Sequence, residues 1–380
     1  MKLALEEEQK MLFDSARAFI EERSPLSRIR ALRDGEDPLG YTPEVWSAMA
    51  DLGWHAIPFP EGHGGLDLGM AEVVLVTEAM GRGLAPEPYI SSVILAGHLL
   101  LSGGSDEQKE TWLPAIVSGE KRLAVAYHEK GSRYALSNVS CKAERGKHGL
   151  TITGEKTQVH DANDADGIIV VARTSGEQAD EHGLTLALVT PDTPGVQIVR
   201  QDRLDSRNAA RGVFTGVEVP TTAIVGAADE GLALLTNAVD HATVALCGEM
   251  LGAMSRAFEM TLEYLRERKQ FGVHIGSFQA LQHRAADVFM EIELARTATM
   301  VAARTMDAGE AGAAQAASMA KARCSDAFLQ VANEAVQMFA GIGMTDEHDI
   351  GFFMKRARVC DMTFGDAAHH RDRWATLNGF

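Results

Sequence analysis

The sequence predicts an α+β protein: an N-terminal helical domain, a small middle β-sheet or β-barrel domain, and a C-terminal four-helix bundle. Three observations carry that expectation. Apolar residues recur at helical spacing in the first third and again from about residue 230 onward. Between those stretches they fall in short β-rich runs bounded by Gly, Asp or Pro. The long C-terminal helical stretches are separated only by short breaks at Gly272, Gly309 and Gly343, the pattern of antiparallel neighbours. The expected domains are 1–122, 123–226 and 227–380.

In the first domain, Phe13, Ala16, Phe19 and Ile20 fall on one helical face. Glu44-Val45-Trp46 opens another helix after the Gly40-Tyr41-Thr42-Pro43 turn. The runs LAVAYH, LTITGEKTQV, GIIVVART, LTLALVT, VQIVRQ and GVFTGVEV read as strands of the middle domain. Helix then returns in four segments, near 230–271, 277–309, 313–339 and 347–378. In the second of them Leu281, Ala285, Val288, Ile292, Ala295 and Ala298 form one stripe at three- and four-residue steps, expected to be buried.

Composition excludes several partners. With 380 residues, 46% of them hydrophobic, the chain has ample material for a core, and its formal charge is −17. That charge opposes binding to nucleic acid or an anionic membrane, whose phosphates must be neutralised by Lys and Arg. No apolar run reaches the roughly 18 residues of a membrane span. The opening MKLALEEEQKMLF is interrupted by Glu residues and lacks a signal-peptide pattern, so a cytoplasmic location is expected. Cys141, Cys247, Cys324 and Cys360 show no CxxC spacing and read as reduced structural thiols.

One basic spot stands out in this acidic chain. Arg266, Arg268 and Lys269 gather at a helix end, followed by Gln270-Phe271-Gly272 and Phe278-Gln279. Positive charge there answers the helix dipole. It also offers an always-ionised guanidinium, whose fixed donor geometry suits a pyrophosphate.

With Glu44-Val45-Trp46, Leu52-Gly53-Trp54, Pro60-Glu61-Gly62-His63-Gly64-Gly65, Gly103-Gly104, Gly154-Glu155-Lys156, Arg268 to Gly272, Phe278-Gln279 and Gln337 followed by Gly341-Ile342-Gly343, the chain resembles the acyl-CoA dehydrogenases over nearly its whole length. The resemblance implies an acyl-CoA dehydrogenase-like fold and FAD-dependent α,β-dehydrogenation of a CoA thioester. It also implies a tetramer and an electron-transfer flavoprotein as the next acceptor. It implies that Arg268, Phe271, Gln279, Gln337, Gly341 and Gly343 hold the adenine and pyrophosphate half of an FAD whose ring sits on a neighbouring subunit.

The positions that serve a chain's own flavin ring depart from the family pattern. The stretch Tyr127 to Arg133 replaces the usual acidic turn, and Gln158 and His160 stand where Trp and Thr are expected. The catalytic Glu position is occupied by Phe364, and the alternative position on the first bundle helix falls at Ala242 and Thr243. Neither Phe nor Ala takes a proton. Asp366 and Asp240 are the nearest substitutes, although Asp366 also suits a helix N-cap and Asp240 a surface charge. Glu249 would lie roughly 10 Å along the helix from Ala242.

Two readings follow. In one, the chain is the base-lacking subunit of a heteromer, holding the dinucleotide end of a paralogous partner's FAD. In the other, it is a self-sufficient homo-oligomer with a displaced carboxylate. The residues expected to serve a neighbour are retained and those serving the chain itself are altered, which favours the first. Heteromeric members of this kind are associated with bulky, steroid-like acyl chains.

Overall fold

The structure, a computed structural model, describes residues 4–35 and 39–380. Eleven α-helices lie among them: α1 (Glu7–Arg23), α2 (Leu26–Asp34), α3 (Pro43–Asp51), α4 (Met70–Arg82), α5 (Gly97–Gly103), α6 (Asp106–Val117), α7 (Gly231–Glu267), α8 (Gln279–Asp307), α9 (Ala313–Phe339), α10 (Ile350–Met362) and α11 (Ala367–Leu377). The strands are β1 (Leu123–Ala126), β2 (Lys142–Arg145), β3 (Gly149–His160), β4 (Gly167–Arg173), β5 (Leu184–Val189), β6 (Val196–Arg200), β7 (Ala209–Pro220) and β8 (Ile224–Val225), with a separate hairpin of β9 (Lys269–Gln270) and β10 (Val273–His274). The fold is α+β, with helices first, a sheet domain in the middle and a helical bundle last.

The chain forms two compact units. One takes residues up to Ala31, Gly69–Ala85 and Thr243–Phe380; the other takes Leu32–Leu68 and Pro86–Ala242.

The first unit is helical. Ala16 and Ile20 of α1 are buried, as their shared face requires. Where α4 meets α7, the missing side chains set the spacing: a Cβ at Gly81 would stand 1.9 Å from the Glu249 carbonyl oxygen, and one at Gly252 would stand 1.7 Å from that of Glu78. Backbones can approach this closely only where glycine stands. Of the stripe expected on α8, Val288, Ile292 and Ala295 are buried, whereas Leu281, Ala285 and Ala298 are half-buried. The stretch read as a fourth long helix is two, α10 and α11. Phe364 (φ 60°) and Gly365 (φ 115°) both take positive φ, which interrupts the helix before Asp366 caps α11.

The second unit is built on an eight-stranded sheet in the order β6-β7-β3-β2-β4-β5-β8, with β1 beside β4. Every residue of β4 is buried, as its unbroken apolar run requires. In β7 buried and exposed positions largely alternate. Arg173, at the end of β4, is 8% exposed and donates to the carbonyls of Ser137, Val139, Ser175, Gln178, Asp180 and His182. One guanidinium thereby gathers two loops that have no ladder of their own. Between α4 and α5 the chain takes a π-helix, Tyr89–Ala96, a form enriched near functional positions.

Candidate functional site

The basic segment ends α7 and turns back at once. The Arg268 amide donates to the Tyr264 carbonyl at 2.9 Å, and the chain then pairs Gln270 with Val273 and Lys269 with His274. The two residues between, Phe271 (φ 54°) and Gly272 (φ 81°), both carry positive φ. That is the type I′ geometry which a two-residue hairpin loop prefers. Gly272 adopts it freely, while Phe271 does so at a cost of order 1 kcal/mol. The strained residue is displayed, not packed: Phe271 is 91% exposed. Its ring meets that of Phe278 edge-on, with centroids 6.2 Å apart. Arg266, Arg268 and Lys269 are all exposed, and the Arg268 guanidinium has no ion pair among the described residues.

Gln279, Gln337 and Gly341 lie at the same end of the bundle. Gln279 is the first residue of α8, and Gln337 occupies the last turn of α9, where it is exposed. Two contacts bring these ends together. Arg284 of α8 pairs with Glu334 of α9 at 2.7 Å, and Tyr264 of α7 packs on Phe339 of α9 with centroids 4.6 Å apart. The two glycines differ. A Cβ at Gly341 would meet nothing within 4 Å, but one at Gly343 would stand 2.7 Å from the Val336 carbonyl. The missing side chain of Gly343 is therefore used by the chain's own packing. Between them and α9, Ala340 is held at φ 56°, ψ −136°, a region that disfavours any side chain.

Elsewhere in the same unit, Phe364, which the sequence leads one to expect at the position of the usual base, is half-buried. Its carbonyl accepts from His370 Nε2 at 3.0 Å. Burial, with Lys321 nearby, pushes the pKa of His370 down to about 3, so the ring stays neutral. Lys321 is fully buried and donates to the carbonyls of Asp361 (3.0 Å) and Gly365 (2.7 Å) and to Ser325 Oγ (2.9 Å). The loop is thus pinned from beneath. The Asp366 carboxylate accepts from the His369 amide at 2.8 Å, which commits one oxygen to capping α11. Glu249 is also engaged, in a buried two-pronged pair with Arg356 at 2.8 and 3.0 Å.

In the second unit Asp240 is 6% exposed, which corrects its reading as a surface charge. The reason is that α7 is covered on nearly every face around it: Ala238, Val239 and Ala242 are buried and His241 is half-buried. Ala242 and Thr243 are fully buried.

The strand positions expected to meet a flavin ring carry unusual chemistry on a distorted backbone. The pairing of β3 with β7 slips between Lys156 and Val159, and Gln158 sits in that slip at φ 50°, exposed. Its amide donates to Gln201 Oε1 at 2.8 Å. His160 is half-buried, and Arg133 (φ 48°) is exposed. Just beyond, Asp161 (φ 57°) accepts from Ser91 Oγ of the π-helix at 2.5 Å. Lys156, in the Gly-Glu-Lys element, is fully buried and donates to Glu129 Oε1 at 2.6 Å; Glu129 also accepts from the amides of Ser140 (2.8 Å) and Cys141 (3.0 Å). These partners hold its carboxyl below the usual range against the opposing effect of burial. This buried pair escaped sequence reasoning, although Lys156 lies in a stretch that carries the resemblance and Glu129 in one that departs from it.

The family models for the acyl-CoA dehydrogenase N-terminal, middle and C-terminal domains match residues 6–120, 124–217 and 229–376. The acyl-CoA dehydrogenase FadE12 of Mycobacterium tuberculosis is 29% identical over 323 residues, covering 84% of this chain and 83% of that protein. Mitochondrial isovaleryl-CoA dehydrogenase of Pongo abelii is 29% identical over 375 residues, covering 97% and 88%. Among solved structures, a chain of the ChsE4-ChsE5 complex from Mycobacterium tuberculosis superposes with a TM-score of 0.90 at 26% identity, over 100% of both chains. Matched along its length by all three domain models, the chain belongs to the acyl-CoA dehydrogenase family of FAD-dependent oxidoreductases.

Proposed function

We propose that this chain works in the α,β-dehydrogenation of a CoA thioester as the base-lacking subunit of a heteromer, lending its basic hairpin to the dinucleotide end of a partner's FAD. The donor set at that end fits the cofactor. Arg268 suits a pyrophosphate, Gln279 and Gln337 offer amide donors and acceptors, Phe271 presents an exposed ring, and Gly341 leaves its surroundings open. When bound, FAD supplies the acceptor for the hydride leaving the β carbon of the thioester. The α proton needs a carboxylate, and here this chain falls short.

The observation that carries the reading is Phe364 in the base position, with the nearest carboxylate, Asp366, already capping α11. Asp240, the other substitute, is buried on α7. The altered residues Gln158, His160 and Arg133 point the same way, since they stand where this chain's own flavin ring would need an indole, a hydroxyl and an acidic turn. A heteromeric complex among the structural relatives, ChsE4-ChsE5, fits a paralogous partner. A bulky acyl-CoA is the substrate class proposed for the complex, and an electron-transfer flavoprotein its acceptor.

The test is to purify the chain alone and together with candidate paralogues, and to record the flavin spectrum before and after adding CoA thioesters. A colourless chain that becomes yellow only on co-purification is expected. A yellow preparation of the chain alone that thioesters bleach would instead establish the self-sufficient homo-oligomer with Asp366 or Asp240 as base.

A further inference from the structure

Three of the residues assigned to the nucleotide end come from separate segments, and one buried ring joins those segments. Arg268 follows α7, Gln337 sits in the last turn of α9, and Gly341 lies in the short turn Ala340–Met344 beyond it. All three are exposed. Phe339, the last residue of α9, is only 2% exposed, so it lies beneath them and not among them.

The Tyr264 ring of α7 packs against Phe339 with centroids 4.6 Å apart and planes tilted by 30°. Tyr264 also supplies the carbonyl that accepts from the Arg268 amide at 2.9 Å, so the turn ending in Arg268 is seated on the Phe339 ring. His348 packs on Phe339 as well, with centroids 4.2 Å apart and planes tilted by 42°. It is tied down in turn, because its Nδ1 accepts from the Ile350 amide at 3.1 Å where α10 begins. The turn between closes on the same side chain. A Cβ at Gly343 would stand 2.8 Å from the Phe339 Cβ and 2.7 Å from the Val336 carbonyl oxygen, so residues 340–344 fold back over Phe339 only because Gly343 has no side chain. The Arg284–Glu334 tie at this end is an ion pair between partly exposed side chains, a kind that contributes little.

We propose that Phe339 is a positioning residue of the nucleotide end, holding Arg268, Gln337 and Gly341 at fixed separations by packing α7, α9 and the following turn around one ring. The inference rests on the reading of that end as the seat of FAD. Each of the three groups is close in sequence to a ring contact: Arg268 follows Tyr264 by one helical turn, while Gln337 and Gly341 flank Phe339 at equal distance. A ligand that needs three displayed groups at once is bound tightly only where they already stand in place, because ordering them on binding is subtracted from the affinity. Phe339 supplies that order without contact to the ligand.

The rate of FAD release from the co-purified complex, followed by flavin fluorescence and set beside the thermal midpoint, tests the assignment. Phe339→Leu keeps an apolar side chain and loses the ring, and it is expected to speed release at least tenfold. Tyr264→Leu should do the same from the other side of the contact, whereas Tyr264→Phe, which keeps a ring there, should release at the wild-type rate. These two variants keep the test open if Phe339→Leu does not fold. Phe328→Leu is the control for stability alone: Phe328 is fully buried about three turns earlier in α9, so its loss should lower the midpoint and leave release unchanged. Wild-type release in Phe339→Leu and Tyr264→Leu, with faster release in Arg268→Ala, would overturn the positioning role and leave the nucleotide reading standing. Release in Phe328→Leu as fast as in Phe339→Leu, at the same midpoint, would also overturn it, because the ring would then act through stability alone. Wild-type release in Arg268→Ala would remove the nucleotide reading itself, and the positioning role with it.

Discussion

Ala340 and the two buried histidines show how single residues set measurable quantities. Ala340 is held at a φ of 56° that an L side chain resists. Such strain costs about 1–3 kcal/mol, while a glycine in its place gives back about 0.4–1 kcal/mol through a more flexible unfolded chain. Relief of strain outweighs that loss. Ala340→Gly is therefore expected to stabilise the protein by about 1 kcal/mol in urea denaturation, and a destabilised variant would show that the Ala340 methyl is held by packing that outweighs its backbone. His55 and His370 make a second case. Burial holds each pKa near 3, well below the ordinary 6.5. Below pH 6.5 the unfolded chain takes up protons that the folded one refuses. The stability these residues allow is complete above that pH and is lost as pH falls toward 3. Each contributes a slope of about 1.4 kcal/mol per pH unit in that window. His55 packs at a tilt against Trp46 with centroids 3.9 Å apart, so His55→Leu retains an apolar neighbour for the indole. Its unfolding free energy should fall less steeply between pH 6 and 4, and an unchanged slope would mean that His55 is protonated in the fold.

At the scale of elements, glycines and one arginine decide what holds together. Gly→Ala inside a helix ordinarily stabilises by about 1 kcal/mol. At Gly252 the added Cβ would stand 1.7 Å from the Glu78 carbonyl oxygen, and backbone cannot yield as a side chain does. Overpacking of this kind costs about 1–3 kcal/mol, so Gly252→Ala should destabilise despite its better propensity, as thermal unfolding would register. Arg173 carries the corresponding weight in the sheet unit. Lysine has three donors on one point and cannot reach six carbonyls, so Arg173→Lys should cost about 3 kcal/mol or more. Much of this arrangement was legible beforehand. The six apolar runs all became strands because alternation and β-branching report burial directly, and Asp366 caps its helix as its residue type suggests. Strand β2, Lys-Ala-Glu-Arg, gave no such signal, since a single buried alanine among charges looks like a loop. The break at Phe364 was equally hidden, because only the folded backbone reveals a positive φ at a bulky residue. The cysteines, distant in sequence, converge in part: burial, with Cys324 and Cys360 nearby, pushes the Cys247 thiol well above its ordinary pKa. Sequence spacing carries no information about such meetings between helices.

For the molecule as a whole, the bundle leaves large apolar side chains in water. Phe289, Met290 and Leu294 of α8 are 54%, 53% and 55% exposed, on the helix that begins with Gln279. Covering a side chain of this size is worth about 1.5–3 kcal/mol, and clustered exposure of this kind marks association surfaces. The proposed division of a flavin between subunits makes a linked demand. If Arg268 and Gln279 serve a neighbour's nucleotide, then loss of assembly and loss of flavin must occur together. Phe289→Glu with Leu294→Glu alters none of the residues assigned to the nucleotide. In the co-purified complex this pair is expected to weaken association at least tenfold in sedimentation and to lower the flavin content in proportion. An intact complex would show that α8 is not at a subunit seam. A dissociated one that keeps its flavin would show that the hairpin grips no nucleotide across subunits, and the self-sufficient reading would replace the divided one.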